Sequence, residues 1–157
     1  TVSALFTCHG DMHAKNLSML ASFDRNEEMI ECVLSPTYDF TVSRGVAGMA
    51  NDNQALTVNQ SLTPSESDLM NFGVQHCDLN PLQASEIIND VGTRVAKKLV
   101  EVSKNVHPLI VNDAVLSNSY NAGLIAVELQ LKEFGFYLDN VTKTDNNFIT
   151  SPRMPRL

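Results

Sequence analysis

The chain of 157 residues contains no tryptophan and only three cysteines. Cys8, Cys32 and Cys77 are an odd number, and no two of them stand in a Cys-x-x-Cys pair. This pattern indicates neither a disulfide framework nor a structural zinc site. We therefore expect a protein of the reducing cytoplasm.

Basic residues and long apolar runs are also scarce. The 11 Lys and Arg residues against 18 Asp and Glu give a net charge of -7, which argues against an autonomous nucleic-acid-binding protein. The local cluster of Arg94, Lys97, Lys98 and Lys104 is predicted to be a solvated helix face.

No apolar run approaches the roughly 18 residues that a membrane span needs, and Thr1 does not open a signal peptide. We expect no membrane association. The missing initiator methionine leads us to expect a processed or truncated product.

Two strand-like runs in the first quarter of the chain predict a β-hairpin. Leu17–Leu20 and Met29–Leu34 are rich in apolar residues, and the loop-forming residues 24–27 separate them. Pro36 cannot donate a backbone hydrogen bond, so the second strand should end before it.

The second half of the chain carries helix signals. Residues 63–66 read Thr-Pro-Ser-Glu, a capping box with proline at the first helical position, and predict a helix to about Gln75. Asn80-Pro81 repeats the signal, and apolar residues then recur at mainly helical spacing in a helix that should end before Pro108. A further helix is predicted over residues 112–133.

Titratable side chains are concentrated between residues 8 and 16. Asp11 and Asn16 stand at the spacing found in the catalytic loop of protein kinases, where the aspartate accepts the substrate hydroxyl proton and the asparagine holds magnesium. Asp39 stands where a second magnesium-binding aspartate is expected, and the hairpin should return it to Asn16. Lys15 can add positive charge near the transferring phosphoryl group.

Other side chains of this segment have simpler interpretations. His9 and His13 flank Asp11, but no third and fourth ligand with suitable spacing is evident for zinc. We expect His9 to pack beneath the loop as a group that orients it, and His13 to be a hydrogen-bonding brace or a residue on the substrate side. Cys8 is expected to be a small buried hydrophobe rather than a nucleophile.

Several ordered motifs carry a family resemblance. Residues 9–16, His-Gly-Asp-Met-His-Ala-Lys-Asn, closely resemble the catalytic loop of kinase-like phosphotransferases. Residues 36–39, Pro-Thr-Tyr-Asp, narrow the resemblance to the HipA family of bacterial toxin kinases. Residues 55–59 stand in the place of the family's short strand, and Leu62-Thr63-Pro64 opens a helix as it does there.

The resemblance implies a mainly α fold, namely a protein-kinase-like C-terminal lobe whose β-hairpin carries the catalytic and metal-binding loops. It implies Asp11 as the catalytic base, Asn16 and Asp39 as Mg²⁺ ligands, and ATP as co-substrate. His13 and Lys15 complete the expected catalytic set. The family phosphorylates protein Ser/Thr, with an aminoacyl-tRNA synthetase as the best-known target, and is held in check by a HipB-like DNA-binding antitoxin.

The expected organisation is a single C-terminal lobe. Residues 1–62 hold the catalytic loop, hairpin and metal loop, residues 63–149 form a helical subdomain, and residues 150–157 are a frayed tail. Gly-x-x-x-x-Gly-Lys, a Gly-rich loop and a Val-Ala-Ile-Lys-like strand are absent from the sequence. We therefore expect the groups that bind the ATP phosphates to lie in an N-terminal lobe outside this chain. The chain alone is expected to bind Mg-ATP weakly and to transfer no phosphate.

Two alternatives remain open. The first is a small-molecule phosphotransferase, because aminoglycoside and choline kinases also carry His-Gly-Asp-x-His-x-x-Asn. Two features argue against it: Lys15 stands where those enzymes often have glycine, and Tyr38 precedes Asp39 where they tend to have an apolar run before the metal-binding aspartate. The other alternative is a non-catalytic module, either an antitoxin-binding remnant or one subunit of a split kinase.

Overall fold

A computed structural model describes residues 2–10, 16–36, 38, 41–43 and 57–138. The described residues form a mainly helical structure with one two-stranded antiparallel sheet, as predicted. Its elements are α1 (Val2–Phe6), β1 (Met19–Phe23), β2 (Met29–Leu34), α2 (Glu66–His76), α3 (Pro81–Lys104), α4 (Pro108–Val111) and α5 (Ala114–Glu133).

The predicted hairpin is confirmed, but its first strand spans Met19–Phe23 and not Leu17–Leu20. β1 and β2 are antiparallel, with Met19 opposite Leu34 at the open end. At the closed end, the Asp24 carboxylate accepts hydrogen bonds from the backbone N–H groups of Asn26 and Glu28, which fixes the turn. The second strand ends before Pro36, as expected from the missing N–H.

The cap predicted for α2 is wrong by two residues. The N-cap is Ser65 and not Thr63, and Asp68, three residues after Ser65, completes its capping box. The Ser65 hydroxyl accepts from the Asp68 N–H, and the Asp68 carboxylate accepts from the Ser65 N–H. Pro64 therefore precedes the cap instead of occupying the first helical position, and the helix ends at His76.

The predicted start of α3 is confirmed, with Asn80 and Gln83 forming a reciprocal cap. The last predicted helix begins two residues later than expected, because Asp113 is its N-cap and accepts from two backbone N–H groups of α5. The short helix α4 fills the interval after α3.

The core lies where α1, α3 and α5 pack together. Phe6 is fully buried, and its ring meets the rings of Phe134 and Phe136 edge-on at centroid distances of 5.0 and 5.5 Å. Gly92 of α3 leaves the space that the Phe136 ring occupies, since a Cβ at position 92 would lie 2.4 Å from it. The residues that directly follow α5 thus pack against α1.

The short strand predicted at residues 55–59 lies partly outside the described residues. Within them, Val58 forms a bridge with Ser61, and Asn59 and Gln60 form a turn with φ of 50° and 64°. Asn59 therefore belongs to the turn, so the predicted extended piece is wrong at its last residue. Residues 150–157 also fall outside the described part of the chain. No helix in the described residues is long and apolar enough to cross a membrane.

Candidate functional site

The predicted catalytic loop begins at the end of α1, where the chain turns sharply. Cys8 has a left-handed φ of 55°, and the backbone N–H groups of Cys8 and His9 donate to the carbonyls of Leu5 and Ala4. These two bonds satisfy carbonyls that the helix end would otherwise leave without a partner. The loop therefore starts from a fixed position on a helix that Phe6 anchors in the core.

Cys8 and His9 are both buried, with 4% and 1% of their surface exposed. The expected packing of Cys8 as a small buried residue is confirmed. The burial of His9 agrees with its expected position beneath the loop, while its orienting role stays a prediction.

A hydroxyl group joins the loop to a distant segment. Ser43 Oγ accepts a hydrogen bond from the Gly10 N–H at 2.6 Å and donates to the Cys8 carbonyl at 3.1 Å. These bonds connect positions 33 and 35 residues apart, and Ser43 is only 4% exposed. Gly10 directly precedes Asp11, and Ser43 follows Asp39 by four residues. The backbone leading into the predicted base is therefore attached to the backbone leaving the second predicted magnesium ligand.

The open end of the hairpin makes a second connection between these parts of the chain. The Ser35 N–H donates to the Ser18 carbonyl at 2.8 Å, and the two hydroxyl groups are 2.9 Å apart. Asn16 lies just before this point and is 3% exposed. Ser35, directly after the second strand, is therefore joined to Ser18, two residues after Asn16.

Of the five predicted site residues, only Asn16 lies within the described part of the chain. Asp11, His13, Lys15 and Asp39 lie outside it, and their convergence with Asn16 stays a prediction. Among the residues that are described, no group of three His, Cys, Asp or Glu side chains is placed to hold a metal ion.

A polar cleft of about 420 Å³ opens beside the start of the catalytic loop. Its walls come from Cys8 and Gly10, the start of α2 and the end of α5. Gln130, 6% exposed, donates from Nε2 to the Glu133 carboxylate at 3.3 Å. The cleft gives solvent a route to the position immediately before Asp11.

The turn before α2 is tied to the helix cap by a carboxylate. Asn59 Nδ2 donates to Asp68 at 2.8 Å, and Ser65 donates to the same carboxylate from its N–H and hydroxyl groups. The Asn59 bond, followed by the bonds from Ser65, holds the pKa of Asp68 below its usual 3.8. Asp68 thus fixes the connection from the turn into α2 at neutral pH.

Two of the four basic residues of α3, Arg94 and Lys98, pair with acidic residues of the same helix. Arg94 pairs with Asp90 at 3.0 Å and Lys98 with Glu101 at 2.8 Å, and all four side chains are largely exposed. The prediction of a solvated helix face is confirmed for these two cations, whose charge is partly neutralised by neighbouring acids.

Comparison with known protein families shows to which family the chain is related. A family model described as the HipA-like C-terminal domain matches residues 1–99. The chain belongs to this family. The match runs from α1 through the hairpin and α2 to Leu99 of α3, so the HipA-like part contains every predicted catalytic and metal-binding residue. The remaining residues of α3, α4 and α5 lie beyond the matched part of this HipA-like domain. No curated protein and no solved structure gives a significant match to the chain.

Proposed function

We propose that the chain is the catalytic-lobe part of an ATP- and Mg²⁺-dependent Ser/Thr protein kinase of the HipA toxin type. Membership of the HipA-like C-terminal family supports this class of activity. The observation that carries the proposal is the Ser43 bridge, because it attaches the start of the predicted catalytic loop to the segment just after Asp39. A kinase site needs its base and its metal ligands close together, so such a link is what the proposed chemistry requires.

Asp11 is the proposed base. Its carboxylate would accept the proton of a substrate Ser or Thr hydroxyl as that oxygen attacks the γ-phosphoryl group. Lys15 would place positive charge near the transferred group, and His13 would brace the loop or contact the substrate. The buried Gly10 N–H, held by Ser43, fixes the backbone immediately before the base.

Asn16 and Asp39 are the proposed ligands of Mg²⁺. An amide oxygen and a carboxylate oxygen are hard donors of the type this ion prefers, so the donor set fits. When bound, the ion would neutralise phosphate charge. Asn16 is buried at the base of the hairpin, a position that limits the conformations of its side chain.

The proposed partners follow from the same assignment. The ATP phosphates would be held by an N-terminal lobe outside this chain, because the sequence of the chain lacks a phosphate-binding loop and the strand lysine. The substrate is a protein, with an aminoacyl-tRNA synthetase as the first candidate, and a HipB-like antitoxin is the proposed inhibitor. Cytoplasmic location belongs to the same proposal.

Phosphate transfer after addition of an ATP-binding lobe tests the function. The N-terminal lobe of a family member is fused before Thr1, and labelled ATP is supplied with protein substrates, aminoglycosides and choline in separate reactions. We expect Ser/Thr labelling of protein that is lost in Asp11→Asn and retained in the control Asp90→Asn, a surface substitution on α3. Labelling of a small molecule instead would favour the other phosphotransferase class. No transfer, or transfer that does not depend on Asp11, would overturn the proposal.

A further inference from the structure

A groove runs between α3 and α5 on one side of the helical core. Its volume is about 780 Å³, within the range of roughly 300–1,000 Å³ found for sites that enclose a ligand. Its walls are mainly apolar, with Val91, Val95 and Leu99 from α3 and Leu124 and Val127 from α5. An apolar groove of this size indicates an interaction site.

The two ends of the groove are marked by contacts between the helices and the chain that follows them. At one end, Tyr120 Oη of α5 donates to the Val102 carbonyl of α3 at 2.6 Å. At the other end, the Phe136 ring packs against Gly92, on the turn of α3 where the lining of the groove begins. Leu138, two residues later, packs against the same core. The chain that follows Leu138 therefore starts beside one end of the groove.

The next residues along the chain supply a fitting apolar group. Residues 139–157 lie outside the described part of the chain, and their sequence contains one pair of adjacent large apolar side chains, Phe148 and Ile149. The chain between Leu138 and Phe148 spans up to about 35 Å when extended. Residues 91–102 of α3 rise by only about 17 Å. The pair can therefore reach any point along the groove.

Charge and covalent attachment favour this segment over a separate partner. Arg94 and Lys98 lie at the rim of the groove and keep part of their charge, and the described lining contains no acidic side chain. Residues 139–149 carry two aspartates and one lysine, so their net charge is opposite to that of the rim. A short tether also gives an effective concentration of about millimolar, which a separate partner rarely reaches.

We propose that residues 139–149 occupy this groove, with Phe148 and Ile149 packed between α3 and α5. The docked segment would also lie beside the predicted site, because Val42 contributes to the wall of the groove and directly precedes Ser43. The inference does not depend on the proposed kinase activity.

Photo-cross-linking from position 148 tests where the segment lies. Phe148 is replaced by p-benzoylphenylalanine in the full chain, and the products are separated by mass and mapped by peptide sequencing. We expect a bond within one chain of 17.3 kDa, to residues 91–102 or 119–127. The same analogue at Met154, beyond the proposed segment, should label these two helices much less. A bond to a second copy or to another surface, equal labelling from both positions, or no cross-link at all would overturn the proposal.

A double-mutant cycle gives a second, independent test. Leu124 lines the groove, whereas Ile125, the next residue of α5, is 57% exposed and does not line it. We expect Phe148→Ala to lower the free energy of unfolding, measured by chemical denaturation. Most of this loss should disappear in the Leu124→Ala background, where the contact is already weakened, and remain in the control background Ile125→Ala. No loss from Phe148→Ala, or an equal loss in both backgrounds, would contradict the proposal.

Discussion

The Ser43 hydroxyl lies 2.6 Å from the Gly10 nitrogen and also donates to the Cys8 carbonyl, so one side chain closes a loop of more than thirty residues. The hairpin and the segment with Asp39 both lie within this loop. The hydroxyl can make both bonds because it donates and accepts at once. Neither alanine nor valine could replace it.

Ser43→Ala is expected to destabilise the fold by about 1–3 kcal/mol, because it leaves the buried Gly10 N–H without its acceptor. Chemical denaturation followed by circular dichroism measures this change. Ser103→Ala, which removes an exposed hydroxyl bonded within α3, serves as the control and should change stability by less than about 0.5 kcal/mol. Equal effects of the two substitutions would show that the bridge is not important for stability.

Gly92→Ala should be destabilising even though alanine favours helices. The added methyl group would lie 2.4 Å from the Phe136 ring, which must then shift from its present position against Phe6. Overpacking of this kind costs about 1–3 kcal/mol. The double variant Gly92→Ala/Phe136→Leu should recover part of the loss, and the absence of any recovery would place the strain elsewhere.

The cap of α2 should show acid sensitivity that depends on Asp68. Its pKa is lowered in the folded state, first by the Asn59 bond and then by Ser65. The stabilisation is therefore present at neutral pH and is lost as the pH falls below 3.8 through the folded-state pKa.

The free energy of unfolding, measured from pH 7 down to acidic pH, tests the direction of this pH dependence. The difference in stability between the unmodified chain and Asp68→Asn should be present at pH 7 and should shrink on acidification. Asn59→Ala removes the largest cause of the shift and should weaken the pH dependence without abolishing it, because Ser65 remains. A difference that grows in acid would contradict the assignment.

The sequence was sufficient to predict the secondary-structure elements that have strong local signals. The hairpin followed from two apolar runs around a turn, and α3 followed from the Asn80-Pro81 cap. The α2 cap was misplaced because Thr63 and Ser65 both have an acidic residue three positions later, and only the contact with Asn59 distinguishes them. Local sequence does not encode that contact.

The site was only partly predictable for the same reason. Asp11 and Asn16 could be proposed because a catalytic loop has a fixed local spacing. Ser43 belongs to no motif, and its role depends on a bond across 33 residues. The exposure of both strands of the hairpin could not be anticipated either. Strand residues of this type usually cover a core, whereas here every one is exposed.

The most direct test of the account is metal binding by the predicted ligands. Mn²⁺ replaces Mg²⁺ as a paramagnetic probe, and free Mn²⁺ is followed by electron paramagnetic resonance without ATP, because ATP would itself bind the ion. We expect weak but saturable binding to the unmodified chain, at least about tenfold weaker binding to Asp39→Asn, and no change in Asp90→Asn. Equal binding by Asp39→Asn and the unmodified chain would contradict the proposed kinase site.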